Sequence, residues 1–368
     1  MFFKLKIYFN KLDWILFFSC FLLSCLGLLE IYSIALGKDE FNLFFFKKQL
    51  FFVFLGSFLF FFFAFFDFHI LKNYSYYIYF LGILLLILVL IFGKEIRGSK
   101  AWFDFVFFSF QPVELIKIIL IVFLSRFFSS FSKYKKIFKT FLYSGIGVFI
   151  PFFLVLKQPD FGSSLLLIFL WFFTLFFIEF PKRYLLFLFL ITIVSLIFSW
   201  SFLFRDYQKE RIISFINPDF NPIDQGYNVS QAIIAIGSGG LIGKGIGAGS
   251  QSQLKFLPES QNDFIFAVIA EELGFLGILL ILIFYILFFY RSLRIINQVT
   301  SNFGIIFILS SVGLIFIEMF INIGMNVGVL PVVGLSLPFV SYGGSAIVSH
   351  FIMVGIIESI IIRTKLKF

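Results

Sequence analysis

Charged residues are scarce in this chain of 368 residues, because Asp, Glu, Lys and Arg together make up only 13% of it. A soluble domain has about 25%. Cysteine is scarcer still: Cys20 and Cys25 both fall in the first apolar run, which argues against a disulfide framework and against a metal cluster. The two histidines, His69 and His350, are too few and too far apart in sequence to support a catalytic triad or a zinc site.

Apolar residues are abundant instead: 61% of the chain is hydrophobic, and its mean hydropathy is +1.05. Crossing a bilayer takes about 20 predominantly apolar residues, because every backbone amide must find its partner inside the hydrocarbon. About ten runs meet this requirement, near residues 13–36, 46–66, 75–93, 112–130, 140–156, 163–179, 184–203, 264–290, 303–326 and 339–361. We therefore expect an all-α, polytopic integral membrane protein in which residues 1–368 form a single domain.

The basic residues indicate how the chain is oriented, since short cytoplasmic loops carry an excess of Lys and Arg. One side of the predicted bundle, which includes both termini, carries sixteen of them: Lys4, Lys6, Lys11, Lys72, Arg126, Lys133, Lys135, Lys136, Lys139, Lys182, Arg183, Arg291, Arg294, Arg363, Lys365 and Lys367. The short segments on the other side carry seven: Lys38, Lys47, Lys48, Lys94, Arg97, Lys100 and Lys157. Both termini are therefore expected in the cytoplasm, with the first run acting as an uncleaved start-transfer helix. The net charge of +9 is then explained by topology and anionic lipid, which argues against nucleic acid as a partner.

A long polar loop is predicted on the outer side, at residues 204–263 between the seventh and eighth helices, and loops of this length are usually functional. It contains a glycine-rich run from Ala235 to Gly247 that superficially suggests a phosphate-binding loop. The match fails, because that motif needs Gly and Ser or Thr where this chain has Ser238 and Gly245. What remains is either a flexible backbone that can approach a phosphate, with Lys244 as its cation, or a loop with many turns.

Ionisable residues inside a membrane are costly and are therefore functional candidates. Glu114 and Lys117 lie three residues apart on the predicted fourth helix, so their side chains share a face and can pair. Either they form a structural ion pair between helices, or they hold a cation ready for an anionic substrate. Lys157 and Asp160, in the run Lys-Gln-Pro-Asp-Phe-Gly, are placed either in a solvated turn or where a lipid headgroup lies.

Two carboxylates, Glu259 and Asp263, stand just outside the eighth predicted helix. Asp263 is a candidate helix cap, and also a candidate general base at the membrane surface. Glu271 and Glu272 follow about two turns deeper, where one of them is expected to face a polar cavity. A Ser-Tyr-Gly-Gly-Ser run beginning at Ser341 forms an outer turn that leads into the tenth helix.

Taken together, these runs resemble the SEDS family (shape, elongation, division and sporulation proteins), and the resemblance extends over essentially the whole chain. The matching motifs occur in family order and spacing: Gln111-Pro112-Val113-Glu114 with Lys117, Gln158-Pro159-Asp160-Phe161-Gly162, Ala235 to Gly245, Leu257 to Ala267, and Ser341 to Ser345. Residues 252–259 and 322–334 are more similar to the elongation branch, RodA, than to the septal branch, FtsW.

The resemblance implies a peptidoglycan glycosyltransferase of the bacterial inner membrane that polymerises lipid II during elongation and releases undecaprenyl diphosphate. It also implies a class B penicillin-binding protein and other elongation-complex membrane proteins as partners. Asp263 matches the family's essential aspartate and is expected to deprotonate the acceptor hydroxyl. Glu114 is expected to orient Lys117. The remaining candidates for substrate binding are Lys157, Asp160, Arg211, Lys244, Glu259, Ser341 and Tyr342.

Among these candidates, the cations Arg211, Lys117, Lys157 and Lys244 can stabilise the departing diphosphate. A divalent cation, Mg²⁺ or Mn²⁺, can share that task, although the sequence has no dedicated ligand cluster, and no organic cofactor is expected. Two departures from the family pattern stand out. Gln261-Asn262 replaces His-Thr before the aspartate, and Ala101 stands where the family often has arginine, with Lys100 beside it.

Two other functions remain open from sequence. A lipid II flippase would place its essential charges along the depth of the bilayer, whereas most charges here cluster on the outer side. A scaffold for a partner synthase would leave the dense polar loop unexplained.

Overall fold

The computed structural model describes residues 8–36, 43–96, 98–105, 108–130, 137–190, 209, 225–254 and 256–367. Its helices are α1 (Trp14–Leu36), α2 (Phe44–Phe65), α3 (Phe68–Asn73), α4 (Ser75–Phe92), α5 (Pro112–Phe128), α6 (Ile137–Lys157), α7 (Phe161–Phe177), α8 (Gln225–Gly239), α9 (Ser250–Gln253), α10 (Ile265–Ile296), α11 (Asn302–Asn326) and α12 (Gly344–Lys367). Three strands, β1 (Lys94–Ile96), β2 (Ser99–Asp104) and β3 (Ser109–Phe110), lie between α4 and α5.

Seven helices in the described part of the chain are long and apolar enough to cross a membrane: α1, α2, α4, α6, α10, α11 and α12. The chain is therefore a multi-pass membrane protein, as predicted. Two more predicted spans, 112–130 and 163–179, correspond to the 17-residue helices α5 and α7. The predicted span at 184–203 falls mostly outside the described residues, so the count of ten stays a prediction.

The helices pack closely where glycine lets backbones approach. A Cβ atom on Gly27 of α1 would lie 2.1 Å from the carbonyl oxygen of Val340, and one on Gly56 of α2 would lie 2.6 Å from the Phe351 ring. The outward faces are rich in phenylalanine, as in α2, where Phe54 and Phe58 are mostly exposed. Such faces suit lipid, in which apolar side chains need no protein partner.

A small antiparallel sheet in the order β1-β2-β3 interrupts the otherwise helical fold, in a segment where the sequence predicted only a connection. Asp104 at the end of β2 accepts hydrogen bonds from Lys94 Nζ at 2.7 Å and from Ser109 Oγ at 2.9 Å. These two bonds hold the pKa of Asp104 below its ordinary value. The sheet is anchored to the helices by Ser99, whose hydroxyl donates to the carbonyl oxygen of Gln158 at 2.7 Å.

Helix α10 is broken at Gly274, whose φ of +66° lies in the left-handed region. The loop after α8 supplies the backbone hydrogen bonds that the break removes. Gly240 and Leu241 carbonyl oxygens accept from the N–H groups of Phe275 and Leu276, at 2.9 and 3.2 Å. In the other direction, the Glu271 carbonyl oxygen accepts from the N–H of Lys244 at 3.0 Å, and that of Glu272 from Gly245 at 2.9 Å. Backbone at membrane depth must be satisfied in this way, by protein rather than water.

This contact accounts for the glycine-rich sequence. A Cβ on Gly239 would lie 1.8 Å from the Ala270 carbonyl oxygen, and one on Gly243 would lie 2.2 Å from that of Glu272. These glycines therefore serve close backbone packing against α10, a role that neither sequence interpretation named.

Candidate active site

Asp263 lies in a turn immediately before α10, and the end of α11 holds its backbone. The side-chain amides of Asn322 and Asn326 both donate to the Asp263 carbonyl oxygen, at 3.1 and 2.9 Å. Both asparagines are fully buried, while Asp263 is partly exposed. Phe264, rather than Asp263, occupies the N-cap position of α10. The arrangement fixes the main chain and leaves the carboxylate at the surface of the bundle.

The segment between α11 and α12 packs against this turn. Ser341 donates from its hydroxyl to the Asn262 carbonyl oxygen at 2.6 Å and accepts from the N–H of Leu337 at 2.8 Å. The N–H of Tyr342 donates to the Gln261 carbonyl oxygen at 2.8 Å. Ser341 is buried and is therefore placed to hold the Asp263 turn in position.

Gly334 lies against the carboxylate itself, since a Cβ built on it would be 3.7 Å from Asp263 Oδ2. Its φ of +72° favours glycine. On the other side of the turn, Glu259 is exposed, and its carboxylate accepts a hydrogen bond from the Asn262 side chain. Asn262, one of the departures from the family pattern, thus has a structural partner in this chain.

The Gln-Pro-Asp-Phe-Gly run joins the same surface. Asp160 caps α7 by accepting from the N–H of Ser163 at 3.0 Å, and it also accepts from Gln111 Nε2 at 3.1 Å. The N–H of Gln111 in turn donates to Ser345 Oγ at 3.0 Å. A Cβ on Gly162 would be 2.4 Å from the Val333 carbonyl oxygen. Three motifs that are distant in sequence therefore meet around the Asp263 turn.

Lys157, the last residue of α6, is exposed beside this surface, three positions before Asp160. It is a cation available to an anionic ligand. Arg211, the arginine among the candidate cations, lies outside the described residues.

Glu114 and Lys117 form the predicted ion pair inside the bundle, with Lys117 Nζ 2.8 Å from Glu114 Oε2. The structure adds two partners. Lys117 Nζ is 2.6 Å from Glu318 Oε1 of α11, and Glu318 Oε2 is 2.7 Å from His350 Nε2 of α12. All four side chains are at least nine-tenths buried. We call these four residues the charged cluster.

Lys244 is occupied by a different partner. Its Nζ is 2.9 Å from Glu271 Oε1, and Ser250 Oγ lies 2.9 Å from it. The neighbouring Glu272 accepts from Ser252, Gln253 and the N–H of Gly247. The sequence predicted a polar cavity for one of these two glutamates. In the structure both face polar groups, which come from α9 and from the glycine-rich loop.

The structure thus brings Asp263, Glu259, Asp160, Ser341 and Tyr342 to one end of the bundle. Glu114 and Lys117 lie beneath this surface, and Lys244 is bound to the α10 break. Sequence reasoning missed Glu318, Asn322, Asn326 and His350 as contributors. Glu318 carried a signal, because an acidic residue in the middle of a predicted span is a functional candidate. Among the described residues, no group of three or more His, Cys, Asp and Glu side chains is placed to hold a metal ion.

A family model and a known bacterial enzyme both match most of this chain. The model of the FTSW_RODA_SPOVE family, described as cell cycle proteins, matches residues 13–366. The peptidoglycan glycosyltransferase MrdB of Escherichia coli (strain K12) is 39% identical over 298 residues, which cover 80% of each chain.

Two solved structures are similar over nearly their whole length. A chain from a peptidoglycan synthase complex, described as coordinating polymerization and crosslinking, has a TM-score of 0.81 and 28% identity, covering 96% of this chain and 98% of that one. The rod shape determining protein RodA of Thermus thermophilus has a TM-score of 0.70 and 27% identity, covering 96% and 97%.

Proposed function

Because this chain belongs to the FTSW_RODA_SPOVE family of cell cycle proteins, we propose that Asp263 is the general base of a polymerisation reaction at the membrane surface. The chain is a peptidoglycan glycosyltransferase of the RodA type, and its relatives carry that name. In the proposed reaction a sugar hydroxyl of one lipid II molecule attacks the anomeric carbon of a second, lipid-linked glycan. Asp263 takes the hydroxyl proton, and the undecaprenyl diphosphate of the second glycan leaves.

The observation that carries this assignment is the double hydrogen bond from Asn322 and Asn326 to the Asp263 carbonyl oxygen. Catalytic groups must be held within a fraction of an ångström of their working position by neighbours that are themselves fixed. Here the backbone of Asp263 is fixed by two buried amides, and the residue itself is partly exposed at this end of the bundle. One fixed carboxylate base is sufficient for a single displacement that inverts the donor's α-linkage to a β-linked glycan.

The leaving diphosphate needs positive charge. Three described lysines were predicted to stabilise the diphosphate. Lys157 suits this role best, because it is exposed beside Asp160 at the same end of the bundle. Lys117 is bound to two buried carboxylates, and Lys244 to Glu271, so each is already neutralised by a protein partner. Arg211 stays a prediction.

A divalent cation suits the same step, since Mg²⁺ and Mn²⁺ prefer oxygen ligands and commonly bridge a carboxylate and substrate phosphates. Glu259, the exposed carboxylate in the turn before α10, would hold it together with the diphosphate, which leaves Asp263 to act as the base. The metal would neutralise charge on the leaving group, and the chain's own residues would position the acceptor.

The same proposal places the protein in the bacterial inner membrane with both termini in the cytoplasm, so that the Asp263 end faces outward, where lipid II is polymerised. It also gives the chain a class B penicillin-binding protein as partner. Support comes from the bias of basic residues and from the similarity to a chain of a peptidoglycan synthase complex.

The test is polymerisation of labelled lipid II by purified protein, alone and with a class B penicillin-binding protein, in Mg²⁺, Mn²⁺ and chelator. Asp263→Asn keeps the size of the side chain and removes its basicity, so we expect the rate to fall by at least about 100-fold. Asp104→Asn, at the end of β2, is the matched control and should keep the wild-type rate. Equal rates for Asp263→Asn and wild type would remove Asp263 as the base. Lipid II movement across vesicles without polymerisation by the wild type would favour the flippase.

A further inference from the structure

The charged cluster has an imbalance that its ion pairs do not resolve. Glu114 and Glu318 are two carboxylates, and Lys117 supplies one positive charge between them. Each of these side chains is less than 10% exposed. Two carboxylates that share one lysine need a further polar partner in the interior of a membrane protein, because an uncompensated charge is strongly disfavoured there.

His350 is the polar partner of the second carboxylate. Its Nε2 atom lies 2.7 Å from Glu318 Oε2, the oxygen that Lys117 does not contact. From α10, the Tyr285 hydroxyl donates instead to the Pro338 carbonyl oxygen at 2.6 Å, and the thiol of Cys20 on α1 is buried nearby. Among the described residues, His350 is therefore the group that meets this oxygen of Glu318.

The cluster also lies directly beneath the Asp263 surface. Counted from the helix ends at about 1.5 Å per residue, Lys117, Glu318 and His350 are about 8 to 12 Å below that surface. Glu318 is one turn from Asn322 and two turns from Asn326, so the three share one face of α11. The two asparagines bind the Asp263 carbonyl oxygen, and Glu318 binds Lys117 of α5 and His350 of α12.

We propose that Glu318 and His350 are positioning residues of the glycosyltransferase, which join α11 to α5 and α12 in one buried polar network and so hold the Asp263 turn in place. This inference rests on the proposed function of Asp263. Glu318 and His350 act through Asn322 and through Lys117, and neither touches the substrate.

Charge counting gives a prediction that packing alone does not. His350→Gln leaves two carboxylates, Glu114 and Glu318, with Lys117 as the one cation between them. Glu318→Gln leaves one carboxylate with Lys117. The double variant Glu318→Gln/His350→Gln likewise keeps one carboxylate, Glu114, and one cation, Lys117. The second substitution should therefore rescue the first.

The experiment measures kcat and KM for lipid II, and thermal unfolding, for these three variants together with Asp263→Asn. We expect His350→Gln to lower kcat by about tenfold or more with KM changed less than about threefold, because the substrate does not contact His350. The double variant should return to within about threefold of the wild-type kcat, with its unfolding temperature restored in parallel. His350→Lys, which places a cation beside Glu318, should retain more activity than His350→Gln.

The proposal would be overturned if the fall in kcat of the double variant equalled the product of the falls in the two single variants, since independent packing defects add in free energy. A wild-type rate for His350→Gln would overturn it as well. If His350→Gln fails to accumulate as folded protein, recovery of folded protein in the double variant supports the charge argument, and failure of both overturns it. Full activity of Asp263→Asn, in contrast, would reject the proposed base without affecting the unfolding comparison of the cluster variants.

Discussion

The side-chain amide of Asn326 donates a hydrogen bond of 2.9 Å to the backbone carbonyl oxygen of Asp263, across 63 positions of the chain. Asn326 also donates to the Asn322 carbonyl oxygen one turn earlier, at 2.8 Å. Its own side-chain oxygen accepts from the N–H of Ala267 in the first turn of α10, at 3.2 Å. One buried amide therefore joins the end of α11, the start of α10 and the turn that carries the candidate base.

The first prediction concerns this amide. Asn326→Leu keeps approximately the same size but removes both the donor and the acceptor. The Asp263 carbonyl oxygen then keeps only the Asn322 amide as a side-chain donor, and the Ala267 N–H keeps only the Phe264 carbonyl oxygen. Each hydrogen bond lost in this way costs about 0.5–1.5 kcal/mol. We expect a lower unfolding temperature and a fall of about 10- to 100-fold in kcat, measured by lipid II polymerisation, since small displacements of catalytic groups are costly.

Asn297→Leu is its control, because Asn297 caps the far end of α10 and is exposed there. That variant should polymerise lipid II at the wild-type rate. If Asn326→Leu does the same, the amide does not position Asp263.

The second prediction concerns Glu30, which is fully buried in α1. Its carboxyl group lies within hydrogen-bonding reach of the Glu272 carboxyl, and within the described part of the chain no donor reaches either of its oxygens. Glu30→Gln supplies a donor to Glu272 and removes the conflict between two acidic groups. We expect the free energy of unfolding to rise by about 1–3 kcal/mol, with the polymerisation rate unchanged.

Glu271→Gln provides the opposite case, because Glu271 accepts from Lys244 and from the N–H groups of Gln251 and Ser252. The same Glu-to-Gln change at Glu271, which is adjacent to Glu272 in sequence, should therefore lower the stability of the protein. Thermal unfolding in detergent or nanodiscs measures both variants, and a loss of stability in Glu30→Gln would contradict the expectation.

The third prediction compares two glycines of α8. A Cβ on Gly239 would meet the Ala270 carbonyl oxygen at 1.8 Å, whereas one on Gly237 would meet no atom within 4 Å. Gly239→Ala should push the loop away from α10 and lower the yield of folded protein. Gly237→Ala should be neutral or slightly stabilising, since alanine favours a helix over glycine by about 1 kcal/mol. Fluorescence-detected size-exclusion of the two variants decides the comparison, and equal behaviour would show that the loop does not need this approach.

Apolar patterning was enough to predict the seven described helices that are long and apolar enough to cross a membrane. The predicted run at 75–93 corresponds to Ser75–Phe92, and that at 303–326 to Asn302–Asn326, because each is bounded by polar residues. The last helix begins at Gly344 rather than near 339, since Phe339 has a φ of +65° and the preceding residues form the turn against Asp263. The Ser-Tyr-Gly-Gly-Ser run beginning at Ser341 did signal a turn here, whereas hydropathy alone extended the span back to residue 339.

Pairs close in sequence were also predictable, as Glu114 and Lys117 show, because three residues along a helix bring side chains to one face. The contacts of Asn326 and Glu318 were not, since they join segments separated by 63 and 201 positions. Periodicity indicates which face of a helix is polar, but it does not indicate which neighbour that face meets. The predicted roles of Lys157, Asp160 and Arg211 toward substrate remain predictions.

The break in α10 at Gly274 has a consequence for membrane insertion of the nascent chain. Residues 240–245, which complete the hydrogen bonding around the break, precede α10 in the chain. They are therefore synthesised before the broken helix. The segment that pairs with the amides around the break is thus present when α10 is inserted, so a helix whose own hydrogen bonding is incomplete need not expose those amides to lipid.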